Sequence, residues 1–314
     1  MHCPNNPGSV IIFTGMLHDK NMPYTTNHGT QIYFETHGTG EPLLLVMGIN
    51  AQLIHWPPEL VDDLVRTGFQ VIVFDNRDMG LSERFDGQKA PGIPRLFRDR
   101  MLGRVSKTPY SLADMADDGF AVLDALGIDS AHVLGASMGG MIAQQMAIQT
   151  PERVQSLTSI MSHTGDRRHF VAKKKAVQAL MSNTPVDAED AGQRVFDLMK
   201  IIGSPKHLRC EADLRLLGST SYERCFNPAG FARQLAAIVA SGSRTKALAK
   251  ITIPTLVIHG VEDPLILPAG GEHTANTIPG ARLVLIEEMG HDLPIAFHDV
   301  FVREIAAITG MAST

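Results

Sequence analysis

Short continuous apolar runs alternate along the chain with longer stretches in which apolar residues recur every three or four positions. Residues 31–36 (QIYFET) alternate and are followed by turn formers, which predicts an early edge strand. Residues 43–47 (LLLVM) and 70–74 (QVIVF) are unbroken apolar runs, as expected of strands buried on both faces. Between them, Leu60, Val61, Leu64 and Val65 share a helical face within residues 57–67, and Gly68 ends that helix. A long helix starts at Ser111, whose hydroxyl is placed to cap it with Asp114 three residues on. Met115, Phe120, Val122 and Leu123 carry its apolar face to Gly127. A strand at 131–134 (AHVL), a helix at 138–149 stopped near Pro151 and a strand at 154–161 follow. The alternation resumes with a strand in 254–260 (PTLVIHG), a helix around 269–277, a strand in 281–287 (ARLVLIE) and a last helix over 294–308.

Strand and helix in alternation predict an α/β chain with a doubly wound, mostly parallel sheet. The rhythm breaks between residues 162 and 250, which carry helical patterns (172–181 and 191–202 among them) and no convincing strand. Helices inserted between two strands of one sheet read as a lid over one sheet edge rather than a separate helical domain. The expected organisation is thus a core of residues 22–161 and 251–314, a helical lid over 162–250, and a weakly ordered extension over 1–21. That extension (MHCPNNPGS and onward) is mostly turn formers without periodicity, so a native start at Met22 is the expectation, to be checked by deleting 1–21.

Composition narrows the function classes. The 314 residues are 44% hydrophobic and 19% charged, with 28 basic and 33 acidic side chains, so nothing favours nucleic acid as a partner. The run Lys173-Lys174-Lys175 reads as the solvated face of a helix. Cys3, Cys210 and Cys225 show no metal-like spacing and read as reduced thiols of a cytoplasmic protein, although Cys210 and Cys225 could pair in an exported one. No apolar stretch approaches the ~20 residues of a membrane span, and no signal-peptide pattern precedes the core. The fifteen methionines fit either an adaptable apolar pocket or plain core packing.

Against this frame, the stretch AHVLGASMGGMIAQQMA (131–147) carries chemistry. Gly135-Ala136-Ser137-Met138-Gly139 sits where a strand ends and a helix begins, so Ser137 occupies a sharp turn at the carboxyl edge of the sheet. Gly135 and Gly139 are required because strand and helix backbones pass close there, and the helix N-terminus favours negative charge beside the serine. Serine needs a base, and the base needs an acid. His291, in EEMGHDLP just past ARLVLIE, is placed to be the base. Asp263, in the loop after PTLVIHG, is the first candidate acid and Glu262 the next; Glu287, Glu288 and Asp292 also flank the histidine. The order Ser137, Asp263, His291 is the order this triad takes on a doubly wound sheet. An oxyanion hole is expected from the backbone amides of Met138 and Ile49, with Gly48 letting the chain turn. His259 reads as a strand-end histidine, and His163 as a possible pocket residue at the mouth of the insertion.

Taken together, LLLVMGIN, VIVFDNRDMGLSE, AHVLGASMGGMIAQQMA, IPTLVIHGVEDPLI and ARLVLIEEMGHDLP make the chain resemble the α/β-hydrolase fold superfamily over residues 29–310. It resembles the serine carboxylesterases there, with a weaker similarity to aclacinomycin-type methylesterases. FDNRDMGLS is similar to the family's D-x-R-G-x-G-x-S loop with Asp78 in place of the first glycine; Asp75 and Arg77 are expected to fix that loop by hydrogen bonds. Many members carry His-Gly in the oxyanion loop, where this chain has Met47-Gly48.

The resemblance implies that Ser137 attacks an ester carbonyl, His291 takes its proton, Asp263 orients the imidazole, and water releases the acid, with no metal or organic cofactor. The expected partner is an apolar small-molecule ester, with neither nucleic acid nor membrane involved. C–C bond hydrolysis, lactone opening, perhydrolysis and thioester cleavage use the same triad, and a non-catalytic hydrolase-like binding protein is a further alternative. Haloalkane dehalogenation needs a carboxylate where Ser137 stands.

Overall fold

Eight strands form one sheet in the computed structural model, which describes residues 23–104, 106–182 and 184–311. The expected extension at 1–21, and Cys3 with it, lies outside the described residues. In chain order the strands are β1 (Tyr24–Asn27), β2 (Thr30–His37), β3 (Glu41–Val46), β4 (Phe69–Phe74), β5 (Ala131–Ala136), β6 (Val154–Ile160), β7 (Thr255–Gly260) and β8 (Arg282–Ile286). Their spatial order is β1-β2-β4-β3-β5-β6-β7-β8; β1 and β2 run antiparallel to their neighbours and the remaining pairs are parallel. The helices of the core are α1 (Pro58–Arg66), α2 (Ile93–Met101), α3 (Leu112–Ala125) and α4 (Met138–Gln149). Five more, α5 (Lys174–Leu180), α6 (Ala188–Ile202), α7 (Glu211–Arg224), α8 (Pro228–Ala240) and α9 (Thr245–Leu248), fill the insertion between β6 and β7. The chain closes with α10 (Pro268–Thr277) and α11 (His298–Thr309).

The period-two rule explains how the sheet is covered on both faces. In β3, Leu44 and Val46 join the layer of α3 and α4, where Met115, Phe120, Ile142 and Met146 lie. Leu43 and Leu45 face the other way, into the layer of α1 and α11 with Leu60, Leu64, Phe301 and Ile305. Each fully buried leucine of this kind contributes about 1.5–3 kcal/mol relative to exposure. The α3 cap is as expected: the Ser111 hydroxyl accepts from the Asp114 amide, and the Asp114 carboxylate accepts from the Ser111 amide.

Two expectations need correction. Residues 31–36 are not an edge strand, because β2 pairs with β1 on one side (Tyr24 opposite Tyr33) and with β4 on the other (Phe34 opposite Phe74). The short polar run YTTN lacks apolar alternation; a two-residue turn with His28 at φ 46° and Gly29 at φ 89° folds it back onto β2. The last helix is shorter than expected, since Ile295–Phe297 form a 3₁₀ turn before α11 begins at His298. Cys210 and Cys225 are free and stand at the two ends of α7. Fifteen residues at 1.5 Å rise separate them by roughly 22 Å, beyond the ~7 Å a disulfide can span.

Candidate active site

The carboxyl ends of β5, β7 and β8 bring the three expected residues together. Ser137 joins β5 to α4 with φ 57° and ψ −120°, a left-handed conformation unusual for any residue but glycine. Neighbouring backbone holds it there: its amide donates to the Ile160 carbonyl at 2.9 Å, and its carbonyl accepts from the Gly140 amide at 3.0 Å. The flanking glycines permit close approach. A Cβ on Gly135 would lie 2.1 Å from the Gly139 carbonyl oxygen, and one on Gly139 would lie 1.9 Å from that of Val46.

His291 follows β8 and points its Nε2 at the Ser137 Oγ, 3.0 Å away. Its Nδ1 meets the Asp263 Oδ2 at 2.7 Å. A carboxylate only accepts, so Nδ1 carries the proton and Nε2 is left with the lone pair facing the serine. The second oxygen of Asp263 accepts from the amides of Leu265 and Ile266 at 2.8 and 2.9 Å. Burial opposes ionisation of Asp263. The electrostatic pull of the His291 imidazole and the hydrogen bonds from His259 and His291 outweigh it and hold the carboxyl well below the usual carboxylate range. The other candidate acids are placed elsewhere. Glu262 and Glu287 are exposed, Glu288 pairs with Lys206 and His207, and Asp292 binds Ser204.

His259 does more than end a strand. Its Nε2 lies 2.8 Å from the Ile266 carbonyl and 3.5 Å from Asp263 Oδ2, the oxygen that also meets His291, so it is a second imidazole beside the carboxylate. Its four-residue spacing from Asp263 was the available signal. His163, by contrast, does not line the cavity described below. It is buried, and its Nδ1 accepts the Gly165 amide at 2.8 Å. Burial, with Arg244 and Arg100 nearby, pushes its pKa down to about 3. As pH falls below about 6.5 the unfolded chain takes up a proton that folded His163 refuses, so stability declines down to pH 3. At pH 5 this residue is expected to cost about 2 kcal/mol. Urea midpoints at pH 7.5, 6 and 5 check it, and His163→Gln should flatten the slope.

The candidate oxyanion loop departs from expectation in one detail. Gly48 is not in the left-handed region; Asn50 is, at φ 58°. Gly48 is needed for proximity, since a Cβ there would lie 3.2 Å from the Ser137 Cβ. The amide of Ile49 has no acceptor among the described residues. Met138 is the first residue of α4, where an amide has no intrahelical acceptor. Asn50 is anchored by Gln234 of α8, whose Oε1 accepts its amide at 2.9 Å.

Residues 75–78 tie this loop to the insertion. Asp75 accepts the amides of Leu53 and Leu81 and pairs with Arg224 at 2.7 Å, while Arg77 pairs with Asp118 at 2.7 Å. Asp78, at φ 73°, sits where the related loop carries glycine. Arg233 of α8 holds it at 2.6 Å, and Tyr110 and Asn227 add hydrogen bonds. The insertion also reaches the histidine: the His291 amide donates to the Ile202 carbonyl at 2.6 Å, and the Gly290 amide to Ser204 Oγ at 2.9 Å. Ser204 Oγ in turn donates to Asp292 Oδ1 at 2.5 Å.

A cavity of about 330 Å³ begins at Asn50 and extends between α5, α6, α7 and the start of α8, with Leu180, Val195, Tyr222 and Phe231 in its wall. Among the described residues no His, Cys, Asp and Glu side chains gather as a metal site requires, and no helix is long and apolar enough to cross a membrane.

A family model described as alpha/beta hydrolase fold matches residues 41–296. The rhodomycin D methylesterase DnrP of Streptomyces peucetius is 31% identical over 93% of this chain and the whole of that protein. Among solved structures, a variant of the meta-cleavage product hydrolase CumD from Pseudomonas fluorescens IP01 superposes with a TM-score of 0.74. It is 21% identical and covers 93% of this chain and 98% of its own. Est816, described as an N-acyl homoserine lactone degrading enzyme, superposes with a TM-score of 0.69. It is 26% identical over 91% of this chain and 99% of its own.

Proposed function

Because the chain belongs to the α/β-hydrolase fold family, we propose that it is a serine hydrolase that cleaves carboxylic esters through an acyl-serine intermediate. The observation that carries this reading is the relay Ser137 Oγ–His291 Nε2 at 3.0 Å and His291 Nδ1–Asp263 at 2.7 Å, set on a strained turn near the amides of Ile49 and Met138, which have no acceptor among the described residues. The methylesterase relative supports an ester as the bond cleaved. The resemblance to a lactone-degrading enzyme favours a cyclic ester as the second reading, since ring opening is the same acyl transfer.

In this mechanism Ser137 Oγ attacks the carbonyl carbon while His291 Nε2 takes its proton. The amides of Ile49 and Met138 donate to the oxyanion as charge develops, and they need no reorientation to do so. His291 then passes the proton to the leaving alcohol. A water activated by the same imidazole releases the acid and restores Ser137. The helical insertion acts as the lid that shapes the substrate site.

Two measurements test the reading. A p-nitrophenyl ester series from acetate to decanoate should be hydrolysed, with the optimum length sizing the acyl site. A serine-reactive phosphonate should label the protein once, at Ser137. Labelling without turnover on any simple ester would shift weight to lactones or C–C bonds; neither labelling nor turnover would leave a binding protein. The rate should fall on acidification, because protonated His291 cannot accept the serine proton. Asp263, held ionised below the usual range, stays out of that limb, so log kcat/KM should fall with unit slope.

A further inference from the structure

The cavity beside the oxyanion loop is mixed in character, and its charge is one-sided. Among the described residues its wall contains one ionised side chain, Arg194 of α6, and neither aspartate nor glutamate. Arginine on a helix ordinarily finds an acid three or four residues away, and α6 offers Asp190 and Asp197 at those positions. Both are committed elsewhere. Asp190 Oδ2 accepts the Val186 amide at 3.0 Å, and Asp197 accepts from Gln193 at 2.7 Å and Lys200 at 3.4 Å. Arg194 instead donates to Ser182 Oγ at 2.9 Å, a neutral partner that fixes the guanidinium without neutralising it. His55 also lines the cavity. Its Nδ1 lies 3.0 Å from the Gln52 amide nitrogen and 3.2 Å from the Gln52 carbonyl oxygen. The cavity therefore offers one uncompensated cation, and a guanidinium matches a carboxylate with two parallel bonds.

We propose that this cavity seats the non-reacting end of the ester and that this end carries a carboxylate, bound by Arg194. The assignment rests on the serine-esterase reading and replaces a wholly apolar substrate with one that is anionic at its far end. The wall residues Leu180, Val195 and Phe231 cover the aliphatic stretch between the ester and the anion.

The test compares mono-p-nitrophenyl esters of dicarboxylic acids, adipate to sebacate, with p-nitrophenyl alkanoates of equal chain length. In the wild type, kcat/KM for at least one acid-ended ester should exceed that of its neutral counterpart by about tenfold or more. Arg194→Gln should lower that ratio roughly 10–100-fold, the range for a hydrogen bond to a charged group, and Arg194→Glu should take it below one. Arg194→Lys should restore part of it. A wild-type ratio of one or less overturns the proposal, as does a ratio unmoved by Arg194→Gln, which would make Arg194 structural. Should no ester be turned over, the esterase reading fails on its own. The anion seat is then read by calorimetric titration of free adipate and sebacate. Binding lost in Arg194→Gln sustains it, and no binding to the wild type ends it.

Discussion

Ser137→Ala is expected to lower kcat on every accepted ester by about 10⁶-fold, the effect seen when a triad nucleophile is removed. Asp263→Asn should cost about 10⁴-fold, because an amide in place of the carboxylate no longer holds the proton on His291 Nδ1. Neither change should disturb the fold. Ser137 makes its structural bonds through its backbone, to Ile160 and Gly140, and these survive in alanine. A third substitution separates chemistry from strain. Ser137→Gly should be as inactive as alanine yet at least as stable, because glycine occupies φ 57° without the roughly 1–3 kcal/mol that such a conformation costs other residues. Initial rates and thermal unfolding of the four proteins decide the matter together. Retained turnover in Ser137→Ala would remove the serine from the mechanism.

The second large effect is on stability. Arg233→Met should destabilise the protein by about 3–5 kcal/mol, since it leaves the Asp78 carboxylate fully buried with its cation gone. Burial alone would raise the Asp78 pKa; Arg233 and Tyr110 instead hold it below the usual range, so the charge is present to be stranded. For a chain of this size the loss corresponds to a Tm decrease on the order of 10 °C. Pairing it with Asp78→Gly should recover most of the loss. Glycine suits φ 73°, and no stranded carboxylate then remains at position 78. Differential scanning calorimetry of both singles and the double measures the coupling directly. Additive losses would mean that the ion pair does not join the insertion to the core.

The proposed triad residues are legible in the chain because each lies within a few positions of a strand end. Ser137, Asp263 and His291 can thus be located by counting along local patterns. Position alone ranks Asp263 ahead of Glu262 as the candidate acid; in the structure Asp263 is buried 2.7 Å from His291, while Glu262 is exposed. Local reading failed where the cause was distant or lacked periodicity. β1 is four residues of polar sequence that pair only because a tight turn returns them to β2. The grip of Arg233 on Asp78 spans 155 positions, and that of Ser204 on Asp292 spans 88; neither spacing leaves a mark in either element. The Gly48 case is subtler. A glycine beside a strand end suggests a turn, but the constraint is the Ser137 side chain 3.2 Å from where its Cβ would be.

The hold of the α6 end on the histidine loop has a consequence for anyone recombining such proteins. A swap of the helical insertion cut at the strand ends would import a stranger's version of Ile202–Ser204 beneath His291, and of Gln234 beneath Asn50. A chimera that keeps this chain's residues 202–204, 224, 233 and 234 and exchanges only the wall-forming parts of α5, α6 and α7 leaves those supports in place. The transplantable unit is thus the cavity wall, and the remainder of the insertion behaves in a graft as part of the catalytic core.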